Sequence, residues 1–319
     1  MRLFSKILAG VALAILAYIA IGGMFVALAS PLKMRGEMID IGGGRRMHLV
    51  CEGPKGAGPT ILFEAGAFGF SADWGVVQER TAARGWRTCS YDRAGLGVSD
   101  PGPEPRDGLA VVGDLEKLLA AAHEDGPYIL VGHSMAGLYL WLFANRNPDK
   151  IKGLVFVDAT TPEASETPQG GNFVQQFTRA SRLAAFGAGT GLYAPLSGTW
   201  FGDKIGLTEP ASSEKRRAFA SPRHNHWAAV EVGQWMNAAE QARATGPLNP
   251  DWPVAVVMAG GNRRPLVGNS LRAQPAHQAR HGTVDVVAGA GHATLLGVKY
   301  ADTVVKAIAE VREVALAKP

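Results

Sequence analysis

Ser134 sits in Gly132-His133-Ser134-Met135-Ala136, between an apolar run from Tyr128 to Val131 and a second apolar run that begins at Leu138. The pattern is G-x-S-x-G with alanine in the last small position. A strand that turns straight into a helix at a serine exposes its Oγ, and small residues two before and two after allow that close turn. The chemistry this suits is nucleophilic attack on an acyl carbon. It needs three further parts: a base, an acid that orients the base, and a site for the developing negative charge. His133 adjoins the serine but points elsewhere on such a turn, which makes it a lining or core residue. Of the eight histidines, only His292 stands in a Gly-rich loop, Gly289-Ala290-Gly291, between a strand pattern and a terminal helix pattern. There it can accept the Ser134 proton and return it to the leaving group. His224 and His226 lack a third ligand and a strand context, so they read as solvent-facing residues and not as a metal pair.

The elements that must hold these groups alternate in type. Met38–Ile41 and Met47–Glu52, either side of a Gly-rich turn, read as a hairpin. Short apolar strands follow at Thr60–Ala65, within Trp86–Gly95 (stopping near Asp92), at Tyr128–Val131, within Ile151–Thr160 (ending at Asp158), at Pro253–Gly261 and at Thr283–Gly289. Leu109–Ala122 has Leu109, Val112, Leu115, Leu118 and Leu119 at helical spacing, and Ala301–Val314 has Val304, Val305, Ile308 and Val311 on one face. Leu138–Asn145 is the helix after the serine. Strands alternating with helices predict a mostly parallel sheet covered on both faces. From Pro162 to about Pro250 the texture changes to Gly, Ser, Ala and helix-like runs such as Trp227–Arg243, with Trp200, Trp227 and Trp235. This stretch reads as an inserted helical cap. The expected organisation is a core of residues 38–161 and 251–319, a cap of residues 162–250, and an N-terminal membrane anchor or signal segment over residues 1–30.

Five segments stand in a fixed order: FEAGAFGFSADW (Phe63–Trp74), YDRAGLGVSD (Tyr91–Asp100), VGHSMAG (Val131–Gly137), GLVFVDA (Gly153–Ala159) and GAGHATLL (Gly289–Leu296). Together they resemble the α/β-hydrolase superfamily, from about Met38 to the end of the chain apart from the cap. The resemblance implies an α/β-hydrolase fold, an eight-stranded, mostly parallel sheet with its sites on loops at the strand C-termini. It implies an oxyanion hole of backbone N–H groups, here Met135 and Ala67, with Phe68 as the alternative to Ala67. Family members often carry His-Gly where this chain has Ala65-Gly66; the donor is a main-chain group, and Gly66 keeps the approach open. The acid departs from the family pattern. An Asp usually follows the seventh strand, but Ala259–Pro265 holds Asn262 and no Asp or Glu. An asparagine gives an imidazolium no charge, and in the triad template Asp-to-Asn costs about 10⁴ in kcat. Asp158 is the substitute, because some α/β-hydrolases place their acid after the preceding strand. Its other reading is a strand-end turn residue bonding its own backbone. Asp92 matches a structural turn of the family. The family topology also sets the strand of Cys51 beside that of Cys89, which allows a cross-strand disulfide in an oxidising compartment.

The chain has 319 residues, is 47% hydrophobic and carries a formal charge of +4. That length suits one large domain with an insertion, or two ordinary ones. The basic spots, Arg45-Arg46, Lys215-Arg216-Arg217 and Arg263-Arg264, are short and read as solvated faces, so no nucleic-acid partner is expected. Two cysteines make neither a metal motif nor a disulfide framework, and no cofactor or metal is implied. Ile7 to Ala29 carries no charge and is long enough to cross a bilayer as a helix. It exceeds a typical signal-peptide core, although Ala27-Leu28-Ala29 before Ser30 resembles a cleavage site. The expectation is a protein anchored by residues 7–29 with its catalytic part outside the cytoplasm, or alternatively one secreted after cleavage. The function expected is that of a serine hydrolase acting on an ester or related acyl bond of a small hydrophobic substrate through an acyl-enzyme. Carbon–carbon hydrolysis, lactone hydrolysis and acyl transfer stay open. The alternative is a membrane-anchored binding or receptor module that keeps the fold without efficient catalysis.

Overall fold

The computed structural model describes residues 2–28, 34–56, 58–261 and 266–317. Eight strands, β1 (Glu37–Asp40), β2 (Arg46–Glu52), β3 (Thr60–Glu64), β4 (Thr88–Tyr91), β5 (Tyr128–His133), β6 (Ile151–Val157), β7 (Val254–Gly260) and β8 (Gly282–Ala288), form one sheet in the order β1-β2-β4-β3-β5-β6-β7-β8. The β1–β2 and β2–β4 pairs are antiparallel and the rest are parallel. The expected eight-stranded, mostly parallel α/β-hydrolase sheet is therefore present.

The strand sequences are apolar on both faces because both faces are covered. Along β3, Ile61 and Phe63 enter one core while Leu62 enters the other; β5 and β6 alternate in the same way, with Ile129, Val131, Val155 and Val157 facing Leu130, Leu154 and Phe156 across the sheet. Helices α2 (Gly75–Ala82) and α11 (Ala301–Ala317) close the first side with Val76, Val77, Val304, Val305 and Ile308. Helices α3 (Gly108–Ala121) and α4 (Ala136–Arg146) close the second with Val112, Leu115, Leu118, Leu138 and Leu142. Cys51 and Cys89 stand directly opposite on β2 and β4, with Cα atoms 4.2 Å apart, and are joined by a disulfide.

Between β6 and β7 the chain forms α5 (Pro162–Glu166), α6 (Pro168–Gly189), α7 (Ala211–Ala220), α8 (Pro222–Gly233) and α9 (Trp235–Ala244). The single run expected over Trp227–Arg243 is split between α8 and α9 at Gly233-Gln234, the glycine being a poor interior helix residue. Helix α10 (Leu266–Gln278), between β7 and β8, has no counterpart in the sequence reading. It contains Pro275 and little apolar periodicity, so local pattern does not mark it. At the N-terminus, α1 (Arg2–Leu28) is exposed along nearly all its length, and among the described residues it is the helix long and apolar enough to cross a membrane by length and composition. It meets the insertion where Tyr18 Oη donates to the Leu192 carbonyl at 3.2 Å and Gly22 lies against Gly191. Ala29 and Ser30, at the expected cleavage site, lie outside the described residues.

Candidate active site

Ser134 directly follows β5 with φ +59°, a left-handed backbone that a non-glycine residue adopts only when its surroundings enforce it. Small neighbours make the turn possible. A Cβ on Gly132 would come within 2.7 Å of Leu140 Cδ1, and one on Gly137 within 2.1 Å of the Thr160 carbonyl oxygen. The Ser134 N–H donates to Val157 at 3.2 Å, and the Ser134 carbonyl accepts from Thr160 at 2.9 Å. The elbow is thus tied to the end of β6, where Asp158 follows with φ +44°.

Asp158 is fully buried. Its Oδ2 lies 2.5 Å from His292 Nδ1. Its Oδ1 accepts from the Ala259 N–H at 3.2 Å and faces Arg272 Nη1 at 3.2 Å. The carboxylate bonds a neighbouring strand, a cation and an imidazole, not its own turn. Arg272, on α10, also donates to the carbonyls of Asp158 and Ala159. His292 sits just past β8, its loop closed by a Gly291 N–H to Thr294 Oγ1 bond of 2.9 Å. With Nδ1 on Asp158, Nε2 is the nitrogen left to meet a proton. His133 packs on the His292 ring at 4.4 Å between centroids, and its Nε2 donates to the His292 carbonyl at 3.0 Å. Asn262, the residue expected where the family has its acid, lies outside the described residues.

The loop after β3 is held by one arginine. Arg93 is buried, donates to the Ala65 carbonyl at 2.5 Å and the Gly66 carbonyl at 2.9 Å, and pairs with Glu64 at 2.7 Å and with Glu231 of α8 at 3.0 Å. A trans peptide points its C=O and N–H in opposite directions. Pinning the Gly66 carbonyl on Arg93 therefore turns the Ala67 N–H the other way. Gly66 itself lies so close to the elbow that a Cβ there would be 2.8 Å from Ser134 Cβ. Among the described residues, no acceptor meets the N–H of Ala67 or of Met135, the N-cap of α4. Phe68 has φ +58°, and its carbonyl takes bonds from Lys215 at 3.1 Å and His224 at 3.2 Å.

The sequence profile of the alpha/beta hydrolase fold family matches residues 59–297. The chain belongs to that family. Among curated proteins, this chain is 40% identical over 130 residues to efuK of Hormonema carpetanum, named as a transporter, covering 39% of this chain and 18% of that one. It spans less than half the length of the first curated relatives it matches, 17% and 40% of the next two. Among solved structures, it matches the Cif epoxide hydrolase of Acinetobacter nosocomialis with a TM-score of 0.66 at 17% identity, over 92% of this chain and 96% of that one. A thermophilic esterase from Thermogutta terrifontis matches with a TM-score of 0.62 at 20% identity, over 88% and 100%. At such identities the likeness is one of fold.

In this α/β-hydrolase, Ser134, His292, Ala67 and Phe68 line one cavity of about 590 Å³, walled largely by Phe173, Phe177, Tyr193 and Trp235 from the insertion. The expectation for His224 needs correction. It is buried, not solvent-facing, because its ring bridges two loops: Nδ1 accepts from the Gly97 N–H at 3.0 Å while Nε2 donates to Phe68. Burial, and then the charge of Lys215, pulls it down to about 3, so it is neutral. His226 is exposed. Burial, and then His292, likewise holds His133 well below the ordinary histidine range. Asp92 is a structural turn, as expected: it accepts from Ser71 N–H and Oγ, from Val98 N–H and from His48. Sequence reasoning missed Arg93 and Arg272. The available signal was for Arg93 alone, since Glu64 and Arg93 are charges at the ends of apolar strands, and charges so placed are seldom buried unless paired.

Proposed function

We propose that this α/β-hydrolase is a membrane-anchored serine hydrolase that cleaves an ester or related acyl bond of a small hydrophobic substrate. The observation that carries this reading is the 2.5 Å contact of the buried Asp158 carboxylate with His292, in a loop sharing one cavity with Ser134. On this reading Ser134 Oγ attacks the acyl carbon as His292 Nε2 takes its proton. Asp158 holds Nδ1–H in place and balances the imidazolium. The N–H groups of Ala67 and Met135 receive the oxyanion, with Phe68 the alternative to Ala67. His292 returns the proton to the leaving alkoxide, and water repeats the sequence on the acyl-enzyme. No cofactor or metal takes part in any of these steps. A serine at the elbow favours acyl chemistry over the epoxide chemistry named for some structural neighbours. The aromatic walls favour an apolar acyl or alkyl group, and residues 162–250 serve as the cap that supplies them. Helix α1 is read as the anchor, and the Cys51–Cys89 disulfide supports a catalytic part outside the cytoplasm. A fluorophosphonate probe tests the mechanism. It should label the wild type and spare Ser134→Ala; a folded wild type that takes no label is a binding module and not a serine hydrolase.

A further inference from the structure

The insertion carries an apolar face that no other part of the described chain covers. Leu183 and Phe186 are each 72% exposed, Trp200 66% and Phe201 48%. They belong to a run, Leu183 to Gly202, without a single charged residue. Its exposed bordering charges are cationic, Arg179 and Arg182 before it and Lys204 after it; Asp203, between Gly202 and Lys204, is buried and turned inward onto the N–H groups of Ile205, Gly206 and Leu207 and the Ser212 hydroxyl. Lys204 Nζ lies over the rings of Trp200 and Phe201 at 5.1 and 5.3 Å, an apolar stem and a charged head arranged as at a water–lipid boundary.

The position of this face relative to α1 decides what covers it. The middle of the run touches α1, Gly191-Leu192 at Tyr18 and Gly22 and the following turn, Ala194–Leu196, beside it. Gly22 lies six residues before Leu28, so the contact is about 9 Å back along the helix axis from its end. An apolar face tied to a spanning helix at that depth stands at about the immersion of an interfacial helix, 5–10 Å. Beside it, a groove of about 710 Å³ has Met24, Phe25 and Leu28 on one wall and Arg216 and Arg217 on the other. Apolar and cationic walls in one groove suit an anionic phospholipid, with its acyl chain on α1 and its phosphate on the arginines. The same run supplies Tyr193, Phe201 and Gly202 to the lining of the Ser134 cavity.

We propose that the Leu183–Phe201 face sits in the headgroup–acyl boundary of the bilayer that α1 spans, and that the Ser134 cavity takes long-chain acyl esters from that bilayer. The proposal rests on the reading of α1 as an anchor and of Ser134 as a nucleophile.

The test uses the full chain in phosphatidylcholine vesicles containing one quarter phosphatidylglycerol. The disulfide leaves no other thiol, so Phe186→Cys and, on the far helix α11, Glu310→Cys each take one environment-sensitive label. The label at 186 should be quenched by nitroxide lipids and shielded from iodide, and the label at 310 should behave in the opposite way. A label at 186 as open to iodide as the one at 310 overturns the proposal. So does shielding that vanishes as protein is diluted into lipid, because a second copy then covers the face. In the kinetic arm, Leu183→Asp/Phe186→Asp should lower turnover of a long-chain ester in the vesicles at least about tenfold and leave a short water-soluble ester unchanged. Equal rates for variant and wild type on the long-chain ester overturn the bilayer route while the hydrolase reading stands. A wild type that cleaves neither ester removes the hydrolase reading and with it the bilayer route to the site, whereas the labels still decide the membrane contact. Failure of the chain to float with the vesicles removes the anchor and the proposal together.

Discussion

His292 meets Asp158 through Nδ1, and the carboxylate it meets is fully buried. A buried carboxylate survives as an anion only with compensation. Asp158 has it from the Ala259 N–H, from His292 and from Arg272. Asp158→Asn should lower kcat about 10⁴-fold on a soluble ester, because the amide can hold His292 in the wrong tautomer and cannot balance its charge. KM and circular dichroism should barely change. A residual activity within tenfold of wild type would move the acid elsewhere. Arg272→Gln takes the Arg272 charge away from the buried Asp158 carboxylate and should destabilise the fold by about 3 kcal/mol. In Asp158→Asn/Arg272→Gln the second loss should be much smaller than the first, because the Asp158 charge that Arg272 met is already gone; denaturant midpoints of the four proteins measure that difference. The sequence could nominate Ser134 and His292 from local patterns at strand ends, and Asp158 from its place at the end of β6 together with the family resemblance. It could not nominate Arg272. That residue reaches Asp158 from a helix far along the chain, and nothing in its immediate sequence records the contact.

The segment from β3 to the first turn of α2 takes its shape from groups on other elements. Arg93, after β4, fixes two of its carbonyls, and Glu231 on α8 fixes Arg93 from the insertion side. Lysine can keep the charge but not the fork that serves two carbonyls and two carboxylates at once. Arg93→Lys should therefore reduce kcat by about ten- to a hundredfold, the range below loss of one oxyanion donor, with a smaller change in KM. Normal fluorophosphonate labelling rates in a folded Arg93→Lys protein would count against a positioning role. The elements themselves were legible to the extent that burial imposed a period. Strands β3, β5, β6 and β7 are apolar on both faces and bounded by turn residues, and α3 and α11 carry one apolar face each. The break between α8 and α9 and the whole of α10 lack such marks. These helices are fixed by what they pack against, and their own propensity is weak.

Two histidines couple the insertion and the hairpin to the rest of the molecule, and they respond to pH in opposite senses. His224 is held near 3, against an ordinary value of 6.5, by burial and then by Lys215. Below about pH 6.5 the unfolded chain binds a proton there that the folded chain refuses, so stability falls as pH drops towards 3. His48 is the reverse case. Burial alone would depress it, but the hydrogen bond and charge of Asp92, together with the Arg35 carbonyl and the charge of Glu214, outweigh burial and raise it above 6.5. Both its ring nitrogens face acceptors, Asp92 and the Arg35 carbonyl, which suits the doubly protonated ring. Its contribution is complete below 6.5 and is lost as pH rises through the folded value. Variants separate the two. His224→Gln, whose amide can still donate to Phe68, should lose less stability than wild type between about pH 6.5 and pH 4 and match it in slope above neutrality. His48→Gln should flatten the alkaline side, above about pH 6.5, and keep the acid side unchanged. Urea midpoints across that range give both slopes. If the two variants keep the wild-type slopes on their respective sides, the pH response comes from other groups, and the neutral and charged forms assigned here to His224 and His48 are wrong.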